Sequence, residues 1–345
     1  MAGESVVVIG GTGFIGAPLV ARLIEQGCAV KVISRRSGKR DSDGVTYVQG
    51  DVTDIESMRR AIDGASTVYD LSLGGGLTWD DYQRTIVGGA QNVAQVCLEH
   101  SVRRLIYTST IAALELSARG KRDESAGTDP KPHLRNWYAR SKIYAEHHLM
   151  EQHGQRRLPV VIFRPGIVVG QGNVNKLTHP GIGGWLSPTF CEVFGSSDTP
   201  LPFVLVEDVA NALLLAKNAP GIEGRTFNLV GDVRFSAAEY IDVLRQRTLR
   251  NFRMRSKPLF QIQLFQSAVW LSKAVCRRPD NEWMSYHELK SVPKKTWLDC
   301  SAAKTLLGWR PVMDRNEFVR KAIDCHVPTP KRGDLRLSSS WPARC

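Results

Sequence analysis

Short apolar runs alternate with amphipathic stretches through the first two-thirds of the chain, a pattern that predicts a parallel sheet with helices on both faces. The runs Val6-Val7-Val8-Ile9, Ala29 to Ser34, Val45 to Val48, Thr67 to Leu71, Arg104 to Thr108, Val160 to Arg164 and Thr226 to Leu229 read as buried strands. Candidate helices lie between them, the first being Ala17 to Ile24. Asp123 to Leu134, rich in Pro, Asp and Lys, predicts an exposed loop before a helix that begins near Asn136. Past Gly166 the alternation weakens, and Gly170 to Gly184 is a Gly-, Asn- and Pro-containing stretch suited to a loop at the mouth of a site. The fold class predicted is α/β, a doubly wound parallel sheet with a smaller C-terminal lobe. Residues 1–165 form the sheet domain. Residues 166–324 are mainly the second lobe, with elements returning to the sheet, and 325–345 read as a loose polar tail.

Directly after the first run stands Gly10-Gly11-Thr12-Gly13-Phe14-Ile15-Gly16, and the first helix follows it. Strand, glycine-spaced turn and helix together point to a Rossmann-type dinucleotide site. Gly10 and Gly13 let the backbone turn tightly against a pyrophosphate, Gly16 lets helix and strand pack closely, and the helix N-terminus offers unpaired N–H groups to the anion. Thr12, Phe14 and Ile15 complete the cradle. At the end of the second strand, where a carboxylate would accept bonds from the ribose of NAD, the chain reads Ile33-Ser34-Arg35-Arg36. With no carboxylate to repel a 2′-phosphate and two guanidinium groups able to pair with it, NADP is the expected cofactor and NAD the alternative. Read blandly, the two arginines are surface charges at a strand end. Asp51, followed by Val52, is placed to accept a bond from the adenine amino group, or else to cap the helix starting near Ile55.

Tyr138 and Lys142 stand four apart in a helical segment, hence on one face about a turn from each other. A nearby ammonium favours phenolate, so Lys142 is expected to lower the tyrosine's pKa and ready it to exchange a proton with a secondary alcohol or a carbonyl. Tyr107-Thr108-Ser109-Thr110 falls at the C-terminal end of a strand, where α/β sheets place ligands, and a hydroxyl there would orient the reacting oxygen.

These residues resemble the extended short-chain dehydrogenase/reductase family, also called the NAD-dependent epimerase/dehydratase family. The resemblance runs over roughly residues 5–324 and rests on Gly10-x-x-Gly13-x-x-Gly16, Gly50-Asp51-Val52, Thr108-Ser109-Thr110, Tyr138-x-x-x-Lys142, Phe163-Arg164-Pro165-Gly166, the Phe203 to Ala210 segment and Leu307-Gly308-Trp309-Arg310-Pro311. It implies Thr110 as the catalytic hydroxyl with Ser109 as the adjacent candidate, Tyr138 as general acid/base, and Lys142 as tuner of that tyrosine and holder of the nicotinamide ribose. Leu71, Arg164 and Pro165 would also line the cofactor, and Asn92 matches a helix asparagine of the family. Ile111-Ala112 follows Thr110 where the sugar dehydratases carry Asp-Glu, which argues against dehydration. Thr199 to Pro202 stands where many epimerases carry a diphosphate-gripping arginine. Leu71 to Gly76 also departs from the family's usual run; its extra glycines imply close backbone approach to cofactor, or a flexible loop.

Composition changes this picture little. Hydrophobic residues make up 42% and charged residues 23% of 345 positions, as in ordinary globular domains. The seven cysteines (28, 97, 191, 276, 300, 325, 345) form no CxxC pair or zinc spacing, so a reducing cytoplasm is expected and no metal. With the first strand close to Met1, no signal peptide is expected, and no uncharged run is long enough to span a membrane. The net charge of +12 suits anionic partners, but the basic residues are not interleaved with aromatics as in nucleic-acid motifs, so no nucleic acid is expected. The basic, apolar stretch 245–276 loosely resembles the apolar insertion of the 3β-hydroxysteroid dehydrogenase branch. It reads first as a core or dimer-forming helix, and alternatively as peripheral contact with an anionic membrane surface. The expected molecule is an NADP-preferring oxidoreductase, homodimeric by resemblance, acting on a small-molecule secondary alcohol or ketone. A nucleotide-sugar epimerase and a non-catalytic nucleotide sensor are the alternatives.

Overall fold

The computed structural model describes residues 4–35, 44–117, 120–172, 185–187, 190–194, 196–198, 200–248, 253–291 and 296–326. Its central sheet is built from β1 (Ser5–Ile9), β2 (Ala29–Ser34), β3 (Val45–Gln49), β4 (Thr67–Asp70), β5 (Arg104–Thr108), β7 (Val160–Pro165) and β12 (Thr226–Leu229). They lie in the order β12-β7-β5-β4-β1-β2-β3, every neighbouring pair parallel. Strand order reverses between β1 and β4, which opens a crevice at the C-terminal ends of the strands.

Alternate side chains of the near-continuous Val/Ile runs go to opposite faces, which is why the sheet is buried on both. Val6, Val8, Val30, Val32 and Phe163 pack with α1 (Gly16–Glu25) on one face. Val7, Ile9, Ile33, Val68 and Leu105 pack on the other, against α2 (Ile55–Ile62), α4 (Gly89–Glu99) and α5 (Trp137–Arg156). A short α3 (Trp79–Tyr82) leads into α4, and α6 (Val206–Ala216) joins α1 on the first face. Asn136 starts α5 as the pattern predicts, its side chain accepting from Ala139 N at 2.8 Å.

Smaller sheets build the rest: β6 (Gly120–Arg122) with β14 (Thr296–Leu298), β8 (Ile167–Val169) with β11 (Phe203–Leu205), and β9 (Trp185–Ser187) with β10 (Phe190–Phe194) and β13 (Arg253–Lys257). A separate apolar cluster gathers Phe203, Phe235, Phe318 and, from α7 (Ala237–Thr248), Tyr240. Two distant sequence motifs meet beside it. Fully buried Trp309 donates its indole N–H to the Asp208 carbonyl at 2.8 Å, and Val312 N donates to Asp208 Oδ2 at 3.1 Å.

Two sequence expectations change here. The stretch Asp123 to Leu134 is not wholly exposed, since Asp129 is buried and paired with the buried Arg135 at 2.8 Å. The stretch 258–276 forms α8 (Leu259–Val275), but Ile262 is its only buried residue, so it is not a core helix. An apolar helix can be apolar for an outer surface as well as for a core, and pattern alone does not separate the two. Among the described residues, Cys28, Cys97, Cys276, Cys300 and Cys325 are free, no acidic, His and Cys group could hold a metal, and no helix is long and apolar enough to cross a membrane.

Candidate active site

The glycine turn after β1 has the geometry its sequence demands. Gly10 has φ +77°, a region that favours glycine, and Gly13 N donates to its carbonyl at 2.9 Å. A Cβ on Gly16 would collide with that same carbonyl and with the Gly11 backbone. α1 opens at Gly16 with no side-chain cap, and Gly13, Phe14, Ile15 and Gly16 at its start line the crevice. The cradle therefore fits a pyrophosphate by shape and by dipole.

Two cavities run from this turn and share Gly10, Gly13, Leu71, Ser72 and Leu73, making one cleft along the strand ends. The first, about 540 Å³, is lined by Thr12, Ser34, Arg35, Asp51 and Val52. The second, about 480 Å³, is lined by Phe14, Ile15, Gly16, Thr110, Tyr138, Lys142 and Pro165. Sequence reasoning placed all of these except Ser72 and Leu73 in the site, and the fold brings them together. Arg36 and the 173–184 part of the Gly170 to Gly184 loop lie outside the described residues.

Arg164 is a correction. Its guanidinium turns away from the cleft to a buried ion pair with Glu146 of α5 at 2.6 Å and donates to the Ala126 carbonyl at 3.1 Å. A buried arginine beside a buried carboxylate is held by that charge, so Arg164 ties β7 to α5 instead of lining the cofactor. It borders a third cavity, about 1040 Å³, larger than the other two but lacking the glycine turn, the strand-end hydroxyls and Tyr138.

In the first cavity Asp51 does not cap α2. Asp54 does, accepting from Glu56 and Ser57 N, while Asp51 Oδ1 accepts from Thr53 N and Thr53 Oγ1, both at 2.9 Å. Asn92 donates to the Val52 carbonyl at 2.8 Å, so its role is to fix the loop that lines the cavity. Gly74 and Gly76 make room for the chain itself: a Cβ there would meet Thr85 and Ile86, or Asp81.

At the other end Thr110 and Tyr138 line the same cavity, with the Thr110 side chain accepting from Ala112 N at 3.1 Å. Burial pushes the Tyr138 phenol above the usual tyrosine value, and the neighbouring Thr110 hydroxyl works against the rise. Lys142 was expected to lower it. Instead the ammonium donates to Tyr107 Oη at 3.1 Å and to the Thr108 carbonyl at 2.9 Å, and lies 4.6 Å from the Tyr107 ring centroid. One turn of separation put the two residues on one face, but burial, not the Lys142 charge, sets the direction of the phenol's shift. Burial likewise depresses Lys142 to about 8, with Asp70 and Glu146 opposing the fall. Asp70, 1% exposed at the end of β4, accepts from Ser72 N at 2.9 Å, while its Oδ2 and the hydroxyls of Thr108 and Ser109 are buried with no partner among the described residues. Buried hydroxyls lining the cavity without partners among the described residues suit a site completed by a polar ligand.

Sequence reasoning missed the clasp that holds Tyr138 in place. Arg135 pairs with Glu288 at 2.6 Å, Asn136 Nδ2 donates to Glu288 Oε1 at 2.8 Å, and Trp137 N donates to Glu282. The start of α5 is thus gripped by carboxylates some 150 positions further along the chain, which no local pattern announces.

The geometry is that of an adenine-dinucleotide enzyme, and comparison with known proteins agrees. A family model described as the NAD dependent epimerase/dehydratase family matches residues 6–230. The chain belongs to this family. Its relatives include cinnamoyl-CoA reductase 1 of Petunia hybrida, 28% identical over 248 residues covering 65% of this chain and 72% of the relative. Another is a 3 beta-hydroxysteroid dehydrogenase/Delta 5-->4-isomerase of Mycobacterium tuberculosis, 28% identical over 181 residues. That match covers 49% of this chain and about half, 48%, of the relative. Among solved structures, the UDP-glucuronic acid 4-epimerase of Bacillus cereus in complex with NAD superposes with a TM-score of 0.71 at 19% identity, covering 93% of this chain and 98% of the other. The likeness confirms the Rossmann-type fold. The chain is an NAD(P)-dependent enzyme of the oxidoreductase/epimerase kind that the family comprises.

Proposed function

We propose that this family member is an NADP-preferring oxidoreductase that interconverts a ketone and a secondary alcohol, with Tyr138 as general acid/base. The observation that carries the reading is the gathering of Thr110, Tyr138 and Lys142 in one cavity of a cleft that continues to a strand end bearing Ser34 and Arg35 in place of a carboxylate. The Gly10–Gly16 turn and the start of α1 would hold the pyrophosphate, Asp51 the adenine amino group, and Arg35 a 2′-phosphate. When bound, the reduced cofactor supplies a hydride to the carbonyl carbon. Tyr138, its phenol held protonated by burial, gives its proton to the carbonyl oxygen as charge develops there. Thr110, in the same cavity, offers a hydroxyl to orient that oxygen. Lys142 fixes the end of β5 through Thr108 and keeps a positive charge under the reacting centre. Phe14, Ile15, Ile111, Ile167 and Val168 make the rest of this cavity apolar, which suits a partly apolar substrate of modest size.

Calorimetric titration tests the cofactor assignment. NADPH should bind at least tenfold more tightly than NADH, and Arg35→Ala should lose roughly 10- to 100-fold in NADPH affinity with little change for NADH, as expected for a charge-assisted bond of about 1.5–3 kcal/mol. Equal affinity for both in the wild type would overturn it. Net consumption of free NADPH by a ketone separates this reading from epimerisation, which recycles a held cofactor.

A further inference from the structure

The helix α8 turns its apolar side outward. Phe260, Leu264, Leu271 and Val275 are 58%, 67%, 58% and 76% exposed, and Phe265 beside them is 66% exposed. At about 100° per residue, positions i, i+4, i+11 and i+15 fall within about 60° of each other, so the first four side chains form one line along the helix. Ile262, nearly opposite, is the residue that anchors the helix inward. Contiguous apolar surface of this kind marks a contact face.

Charge says what the face contacts. From Val243 to Pro279 the chain carries nine Arg and Lys residues and no Asp or Glu, against a net charge of +12 for the whole protein. Arg253 and Arg255 on β13, directly before the helix, are exposed, as are Arg277 and Arg278 directly after it. Lys273 and Arg278 share Asp280, which leaves that corner still net positive. Trp283, 46% exposed, packs edge-on against Trp270 of α8 with ring centroids 5.2 Å apart, and Tyr286 is likewise 46% exposed. The result is an aliphatic and aromatic stripe, basic at both ends, with Trp and Tyr at its margin.

We propose that α8 docks the protein on an anionic lipid surface, the helix lying in the plane of the interface with its stripe at the acyl boundary and the basic ends on the headgroups. Amphipathic helices with cationic flanks bind in this way, and Trp and Tyr favour the same depth. A second copy of the chain fits worse. A two-fold contact sets the patch against itself, and with both ends basic either relative direction of the helices brings like charges together.

Flotation of the full chain tests this. With vesicles of phosphatidylcholine and phosphatidylserine in equal parts at low salt the wild type should float, and with phosphatidylcholine alone it should not. Leu264→Ser combined with Phe265→Ser should abolish flotation, and Arg253→Gln combined with Arg277→Gln should weaken it about 30-fold. Circular dichroism and cofactor affinity of both variants should match the wild type. Failure of the wild type to float with the anionic vesicles overturns the proposal, and so does equal flotation with neutral ones. Unchanged flotation of a folded stripe variant overturns it too. A concentration-dependent dimer that the stripe variant dissolves, without vesicle binding, assigns the face to a second copy and also overturns it.

Discussion

Tyr138 and Lys142 lie one turn apart on α5, yet burial moves both toward their neutral forms, the phenol up and the ammonium down to about 8. Their spacing was legible in the sequence because it is local. Their proton affinities were not, because desolvation depends on β5, the 310 turn after it and α5 closing together. The same division holds for Arg164: the motif that contains it is plain, but the direction of its side chain depends on Glu146 in another element. The sign of the pH dependence follows. In free enzyme Lys142 is an ammonium below about 8 and loses its proton as pH rises through that value. Tyr138 stays protonated through the same range, so loss of the Lys142 charge is the first change. The account therefore predicts that kcat/KM for ketone reduction falls as pH rises above about 8, measured as initial rates of NADPH oxidation. A profile flat from pH 7 to 10 would remove Lys142 from the site's electrostatics.

At the scale of elements, the start of α5 is where sequence and structure divide most clearly. Its N-cap at Asn136 was readable from residue type and position, and so were the strands of the sheet, whose Val/Ile runs carry their own burial signal. The Arg135–Glu288 pair and the Glu282 contact were not, because they join segments about 150 residues apart. Both members of the pair are nearly inaccessible, so removing one leaves an uncompensated buried charge. Glu288→Ala is predicted to cost about 3–5 kcal/mol in urea unfolding and to lower kcat as the helix bearing Tyr138 loosens. Glu288→Gln, which keeps hydrogen-bonding capacity, should recover part of both. Full activity and stability in Glu288→Ala would show the clasp to be idle. α8 fails in the opposite direction: its apolar pattern was plain, but its environment was not, since periodicity does not report which side faces solvent.

For the whole molecule, the doubly wound sheet followed from the alternation of strand and helix patterns, while the meeting of the Phe203–Ala210 and Leu307–Pro311 motifs at Asp208 became visible only in three dimensions. That junction carries a stability signature. Burial raises the Asp208 carboxyl to about 6, whereas in the unfolded chain it titrates near its reference of about 3.9. Between those values the folded state holds the proton more tightly, so this group's contribution to stability is full below about pH 4 and lost as pH rises through about 6. Asp208→Asn cannot titrate and keeps an acceptor for Val312 N. Its stability relative to the wild type should therefore improve by about 2 kcal/mol between pH 4 and 7, read from urea midpoints at the two pH values.

The proposed reaction turns on proton transfer by Tyr138 in a cleft that would cradle NADPH. Ketone-dependent oxidation of NADPH by the wild type and by Tyr138→Phe, at saturating cofactor, tests it most directly. The account predicts equal NADPH affinity in the two proteins and a kcat lower by about 10²–10⁴ in the variant. Equal turnover by both would contradict it.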